Sequence, residues 1–390
     1  MLRFGPWSTT LGLAAAFGAL VALLLCFARG NRSAQRLLAA LLLVAVLRLM
    51  PYVLGFAGAY DAWPWLSFAP FDLRLAIGPL LHLYLLRLVT PALPPRWGWH
   101  LAPPALDLLY MLWAFALPLD QKNVWHASVH SEWISPLQNA AGALSLALYL
   151  ALATRLRQRY LAWLRAHVSD QDARRQPWVA GVLLALGSWL MVSIGFDLYS
   201  SLVAPLNYYD RFAQYLGFSA IILWLGLEGW RHAGRDFPHM RPPSTAKAPV
   251  APAAQAAAPT RDWQATAAVW IERIRDEQWW RQPGLTLADV ARRLSTNESY
   301  VSRAFNQGLG SNFNTAINAM RVSAVQQGMR ADPGAEILAL ALDCGFSSKA
   351  SFNRVFREQT GVSPSNWRAA HCMKSRDATA FEATPPTRRA

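Results

Sequence analysis

Two long-range patterns predict an all-α protein in two parts, a seven-helix transmembrane bundle followed by an all-helical tandem helix-turn-helix domain. The first is a succession of long apolar runs confined to residues 1–230. The second is a stretch from Leu285 to Arg368 in which one pattern is written twice. An Ala/Pro-rich segment without apolar periodicity lies between them. The expected divisions are therefore 1–236 for the membrane part, 237–261 for a linker, 262–372 for the helical domain and 373–390 for a disordered tail.

Composition supports this division. A chain of 390 residues has room for two or three domains. Its 54 % hydrophobic fraction, beside 15 % charged residues and 18 Trp, is unusual for a soluble protein. Residues 242–390 hold 18 Lys/Arg against 12 Asp/Glu, a net +6 that suits a polyanionic partner. A merely solvated basic surface would show the same charge, so the motifs must decide. Cys26, Cys344 and Cys372 have neither metal-ligand nor disulfide spacing. No metal and no cofactor are expected. From Asp262 onward there is no Cys/His cluster and no phosphate loop, so an enzyme is not expected either.

A hydrocarbon core of about 30 Å needs roughly 20 apolar residues. Seven such runs lie near 7–28, 37–58, 70–90, 101–118, 136–154, 177–200 and 212–230. The third and fourth are weakest, because Asp72, Arg74, His82 and Asp107 interrupt them, and six spans are the alternative count. Basic loops alternate with poor ones. Arg29, Arg32 and Arg36 follow the first run, six arginines between Arg155 and Arg175 follow the fifth, and Arg231, Arg235 and Arg241 follow the last. Only Asp61 separates the second run from the third. That alternation places the N-terminus outside and the C-terminal half in the cytoplasm, with Arg3 a mild dissent. The implied location is the inner membrane of a bacterium.

Charged side chains within spans are costly and face the bundle interior. Arg48 lies mid-span, and His82, Asp107 and Asp197 are its candidate partners. These four are the candidate membrane-sensing residues for an unknown ligand, with a structural ion pair as the plainer reading. Lys122, in an outer loop, is the only lysine before the linker, which excludes a retinal Schiff base in the last span. The linker, as a coil of about 25 residues, reaches roughly 30 Å.

The repeat is read by subtraction. Leu287, Val290 and Ala291 recur as Ile337, Leu340 and Ala341 at an offset of 50, whereas Val301, Phe305 and Gly310 recur as Phe352, Phe356 and Gly361 at 51. The second turn is therefore one residue longer. A leading helix from Trp263 to Trp280 presents Trp263, Ala267, Trp270, Ile271 and Ile274 on its inner face. Thr286 and Asp289 form a capping box, and Asn297 caps the next helix, expected from Glu298 to about Gln307. There Val301 and Phe305 point inward, leaving Ser299, Ser302, Arg303 and Asn306 outward. A long helix over Asn312–Arg330 joins the copies. In the second copy Ser347 or Ser348 caps a helix whose outward residues include Lys349, Asn353 and Arg354.

These residues resemble the DNA-binding domain of AraC/XylS-type transcription regulators. The carriers are Leu285-Thr286-Leu287, Tyr300-Val301-Ser302-Arg303 with Phe305, Arg321, Gly345-Phe346, Ser363-Pro364 and Trp367-Arg368, within roughly Asp262 to Arg368. The resemblance implies that two reading helices enter successive major grooves of double-stranded DNA. Ser299, Ser302 and Arg303 would touch it from the first unit, and Lys349, Asn353 and Arg354 from the second. It also brings in RNA polymerase and a second copy of the chain as candidate partners, beside the lipid bilayer. Val325 stands where the family usually has Ala, Gly328 where it has a large apolar residue, and Trp367 where it has Tyr. Gly328 costs a helix about 1 kcal/mol relative to Ala. The alternative reading is a membrane receptor or transporter whose cytoplasmic helical domain binds a partner protein.

Overall fold

The computed structural model describes residues 4–28, 30–168, 177–207, 209–234, 237–240 and 262–372. The expected linker beyond Met240, the expected tail from 373 onward, and the loop arginines Arg29, Arg174, Arg175, Arg235 and Arg241 lie outside the described residues. The chain divides into two compact units, Met1–Arg159 with Gln176–Met240, and Tyr160–Arg175 with Arg241–Ala390. The fold is all-α, with no strand among the described residues.

The first unit is built from α1 (Pro6–Phe27), α2 (Arg32–Phe56), α3 (Ala59–Ala62), α4 (Arg74–Val89), α5 (Ala102–Ala116), α6 (Leu119–Trp125), α7 (Ser135–His167) as far as Arg159, α8 (Pro177–Leu202) and α9 (Phe212–His232). A π-helical stretch, His126–Ile134, joins α6 to α7, so that Leu119–Arg165 is one long apolar helix. Among the described residues five helices, against the seven spans expected, are long and apolar enough to cross a membrane: α1, α2, this composite helix, α8 and α9. The two that fall short are the two that charge interrupts. α4 starts only at Arg74, because the preceding Asp72 is engaged by Arg48 and Arg74, and its 16 residues rise about 24 Å. α5 has 15 residues and about 22 Å.

Both short helices nevertheless take their places in an up-and-down bundle. At one end of α4 Asp72 pairs with Arg48 of α2, and at the other the Arg87 carbonyl accepts a hydrogen bond from Asn31 Nδ2 at 3.2 Å. Asn31 and Arg48 are separated by about 25 Å along α2, which matches the length of α4. The helices therefore run antiparallel, end against end. α5 runs against α7 in the same manner: His100 Nδ1 meets Tyr149 Oη at 2.9 Å, and Gln138 Nε2 donates to Asp107 at 2.7 Å. Tyr110 Oη meets His130 Nδ1 at 2.9 Å further along. At α2 and α9, Tyr52 stacks on Tyr215 while Gly229 lies against Leu38. A Cβ at Gly229 would meet the Leu38 side chain at 2.4 Å, so the glycine sets how closely these helices approach.

The second unit contains α10 (Trp263–Asp276), α11 (Leu287–Arg293), α12 (Glu298–Arg303), α13 (Phe313–Ala331), α14 (Ile337–Asp343), α15 (Lys349–Thr360) and α16 (Pro364–Cys372). The leading helix stops at Asp276, earlier than periodicity predicts, because Gln278 adopts a left-handed φ of 52° and Trp279–Arg281 form a 3-10 turn. One apolar core serves both copies. It runs from Ile274, Trp279 and Trp280 through Val301, Phe305 and Phe313 to Phe346, Phe352, Phe356 and Trp367. Gly328 does not interrupt α13: the Asp332 amide still donates to its carbonyl at 2.9 Å, and Leu340 packs beside it.

Arg321, at the middle of α13, is fully buried. Its Nε donates to the Trp280 carbonyl and its Nη2 to the Gln282 carbonyl, both at 2.8 Å, while the guanidinium lies 5.8 Å from the Phe346 ring centroid. One side chain thus ties the connector after α10 to the joining helix and to the second copy. Replacing it with Met keeps the volume but leaves the Trp280 carbonyl without its buried donor, at about 1–3 kcal/mol, while the Gln282 carbonyl keeps the Leu285 amide at 3.3 Å. Arg321→Met is expected to lower the stability of a 262–372 fragment by about 1–3 kcal/mol in urea unfolding. A loss below about 0.5 kcal/mol, the range of ordinary surface changes, would show that Arg321 does not hold the junction.

Candidate nucleic-acid interface and a charged cavity

The two helix-turn-helix copies share a backbone. The Thr296 amide donates to the Ala291 carbonyl at 2.9 Å, and the Phe346 amide to the Ala341 carbonyl at 3.1 Å, the same bond at an offset of 50. Between these partners Ser295 and Gly345 are both left-handed, with φ of 52° and 86°. The offset becomes 51 at the caps. Asn297 accepts from the Tyr300 amide at 2.8 Å, and Ser348 from the Ser351 amide at 3.2 Å, so Ser347 is the extra residue. The predicted capping box is also present: the Asp289 amide donates to Thr286 Oγ1 at 3.2 Å and the Thr286 amide to Asp289 Oδ2 at 3.1 Å.

The reading helices differ in form. α15 is regular over 12 residues. α12 passes into a π turn over Ala304–Gly308, where periodicity predicts a continuing α-helix. Gly308 allows that turn to lie against α10, since a Cβ there would sit 2.2 Å from the Trp263 carbonyl oxygen. On the first helix Arg303 and Asn306 are exposed, while Ser299 and Ser302 are half-buried. Asn306 Nδ2 donates to Ser302 Oγ at 3.3 Å. On the second, Lys349 and Asn353 are exposed. Arg354 is half-buried and held by Glu358 one turn later, its Nη1 lying 3.0 and 3.1 Å from the two carboxylate oxygens. Glu358 escaped the sequence reading, although an Arg–Glu pair at i, i+4 is visible in it. Cys344 is buried, and burial pushes its thiol up, which keeps it protonated.

Residues 290–370, about a fifth of the chain, match the family model described as "Helix-turn-helix domain". The C-terminal domain is thus a helix-turn-helix domain of the AraC type, a class of DNA-binding transcription regulators. No curated protein and no solved structure matches the chain.

Within the first unit the four candidate sensing residues do not form one group. Arg48 pairs with Asp72, not with His82, Asp107 or Asp197. Asp107 is taken by Gln138, and the His82 ring centroid lies 6.0 Å from that of His100. Asp197 instead accepts from Arg211 at 2.7 Å. Arg48 and Asp197 do line one cavity, of about 340 Å³, which His82 and Asp107 do not line. Sequence reading missed Asp72 as the partner of Arg48 because Asp72 precedes α4 in a loop, 24 residues along the chain. Among the described residues no group of three His, Cys, Asp or Glu could hold a metal ion.

The shared left-handed turn yields a paired expectation. Ser295→Gly should stabilise the fragment by about 0.5–1 kcal/mol, since glycine takes positive φ without a Cβ clash. Gly345→Ala should destabilise it by well over about 1 kcal/mol, because a Cβ there would lie 2.5 Å from the Arg281 carbonyl oxygen. Thermal unfolding of both variants reads the two signs, and equal effects would show that the turns are not equivalent.

Proposed function

We propose that this chain is a membrane-anchored, sequence-specific transcription regulator, a one-component sensor that couples a signal at the membrane to promoter binding. The observation that carries the reading is the presence, in one chain, of a tandem AraC-type helix-turn-helix domain and five helices apolar and long enough to cross a bilayer. With the antiparallel α4 and α5 counted as crossings, the bundle makes seven. With neither counted it makes five. The parity is odd in both cases, and an N-terminus outside then leaves the helix-turn-helix domain on the cytoplasmic side, where DNA is. The distribution of loop arginines supports that sense.

On DNA, phosphate contacts supply most of the affinity and make it salt-dependent. Ser299, Ser302, Arg303 and Asn306 read from the first helix-turn-helix copy, and Lys349, Asn353 and Arg354 from the second. A guanidinium matches guanine O6 and N7, and an amide matches adenine N6 and N7. Glu358 holds Arg354 extended before DNA arrives, and the arginine must exchange this carboxylate for a base edge or a phosphate.

Binding of the chain to the DNA upstream of its own coding region, read by gel shift with the 262–372 fragment, tests the assignment. Arg303→Ala should weaken specific binding by about 1–3 kcal/mol. Arg354→Ala should fall toward the lower end of that range, because the wild-type residue gives up its Glu358 pair. Unchanged binding after both substitutions would remove the assigned reading residues. A fragment that binds no DNA but captures a protein would favour the receptor reading instead.

A further inference from the structure

The charged cavity of the first unit is walled by α2, α4, α7, α8 and α9, and its volume of about 340 Å³ is that of a small-molecule site. Its polar wall is unevenly satisfied. Asp72 gives one carboxylate oxygen to Arg48 and the other to Arg74, which also donates to Asn139. Arg211 donates to Asp197. Three guanidinium groups, of Arg48, Arg74 and Arg211, thus line the cavity beside one carboxylate, Asp197, while the Asp72 carboxylate that pairs with two of them lies outside its lining. Asp107, the next carboxylate on α5, does not line the cavity and is taken by Gln138.

Two further atoms point the same way. Gln214 is 6 % exposed; its Nε2 donates to Ser193 Oγ at 2.8 Å, while its Oε1 has no partner. Trp189 is 8 % exposed and its Nε1 has no partner. Both residues line the cavity. Buried polar atoms of native proteins are almost always hydrogen-bonded, so an acceptor and a donor without partners on residues that line one cavity are atoms a polar ligand would satisfy. Arg48 donates to Asp72 through Nη1 alone, and its guanidinium is held 5.5 Å from the Trp189 ring centroid. Its remaining N–H groups make no hydrogen bond among the described residues, and the residue lines the cavity.

We propose that this cavity binds a small monocarboxylate that also carries a hydrogen-bond donor. The carboxylate takes N–H groups from Arg48 and Trp189, and the ligand's hydroxyl or amine donates to Gln214 Oε1. Its apolar body lies on Ile77, Leu146 and Leu190, which line the same space. The site sits toward the C-terminal end of α2 and the N-terminal end of α9, the outer end in the orientation proposed above. An acid dissolved outside and a hydroxy fatty acid from the bilayer share this chemistry. The inference deepens the sensor reading, and it rests on that reading only for the role of the ligand as signal.

The test is calorimetry on the intact chain in lipid nanodiscs, without DNA. The probes are 4-hydroxyphenylacetate and 3-hydroxydecanoate, each beside its uncharged partner, the amide of the first and the methyl ester of the second. At least one acid should bind, its neutral partner at least tenfold more weakly, and the acid that binds identifies the source. Arg48→Gln, which leaves Asp72 paired with Arg74, and Gln214→Leu should each weaken binding tenfold or more. Arg87→Gln, outside the cavity, should leave it unchanged. If Arg48→Gln does not fold, Trp189→Phe with Gln214→Leu carries the test. Binding by neither acid, equal binding by the neutral partners, or binding indifferent to the cavity variants would overturn the proposal. None of these outcomes bears on DNA binding, whereas ligand binding that leaves promoter occupancy unchanged would keep the site and remove the sensor.

Discussion

The burial of one arginine organises the helix-turn-helix domain. Two copies of a small helical unit have little apolar surface each, and neither could bury a core alone. Arg321 solves this by reaching from the joining helix to the carbonyls of Trp280 and Gln282 and lying against Phe346. The connector it holds is the one whose Arg281 carbonyl abuts Gly345, at the turn of the second copy. Leading helix, joining helix and second copy therefore meet at a single polar contact inside an apolar core. A buried guanidinium is costly unless its donors are met, so the contact is specific as well as adhesive. It fixes where the reading helices stand, and the exposed Arg303 and Lys349 depend on it indirectly.

The bundle obeys a related rule with a different result. Charges inside it are paired, but incompletely. Asp72 serves two arginines, and this shared carboxylate shortens α4 at its start while tying it to α2. Placement of charge thus decides both the helix boundary and the chemistry of the cavity. Conflict between helix length and buried charge marks the place where a ligand can bind, because a bundle made only for anchoring would have no need of it.

Much of this was legible in the sequence, for physical reasons that can be named. Capping at Thr286, Asn297 and Ser348 is a local matter of side chain and backbone, and it appears where the residues predict. The extra residue of the second turn followed from comparing Val301 with Phe352. Apolar runs gave the long helices. What the sequence hid is what depends on long-range approach. The π turn after Arg303 reflects the closeness of α10 to Gly308, and the end of the leading helix reflects a left-handed Gln278. The pairing of Arg48 with Asp72 joins a helix to a loop, and no periodicity records it. Seven apolar runs became five long helices and two short ones for the same reason: hydropathy registers the run, whereas the charges at its edge set the helix.

The central claim is that one chain both crosses the membrane and reads DNA on the cytoplasmic side. Vesicles prepared from bacterial inner membrane in both orientations test it most directly. Inside-out vesicles carrying the intact chain should retain a labelled duplex of the chain's own upstream DNA, and lose it as salt is raised, while right-side-out vesicles should retain none. Retention by right-side-out vesicles, or by neither kind, would contradict the account.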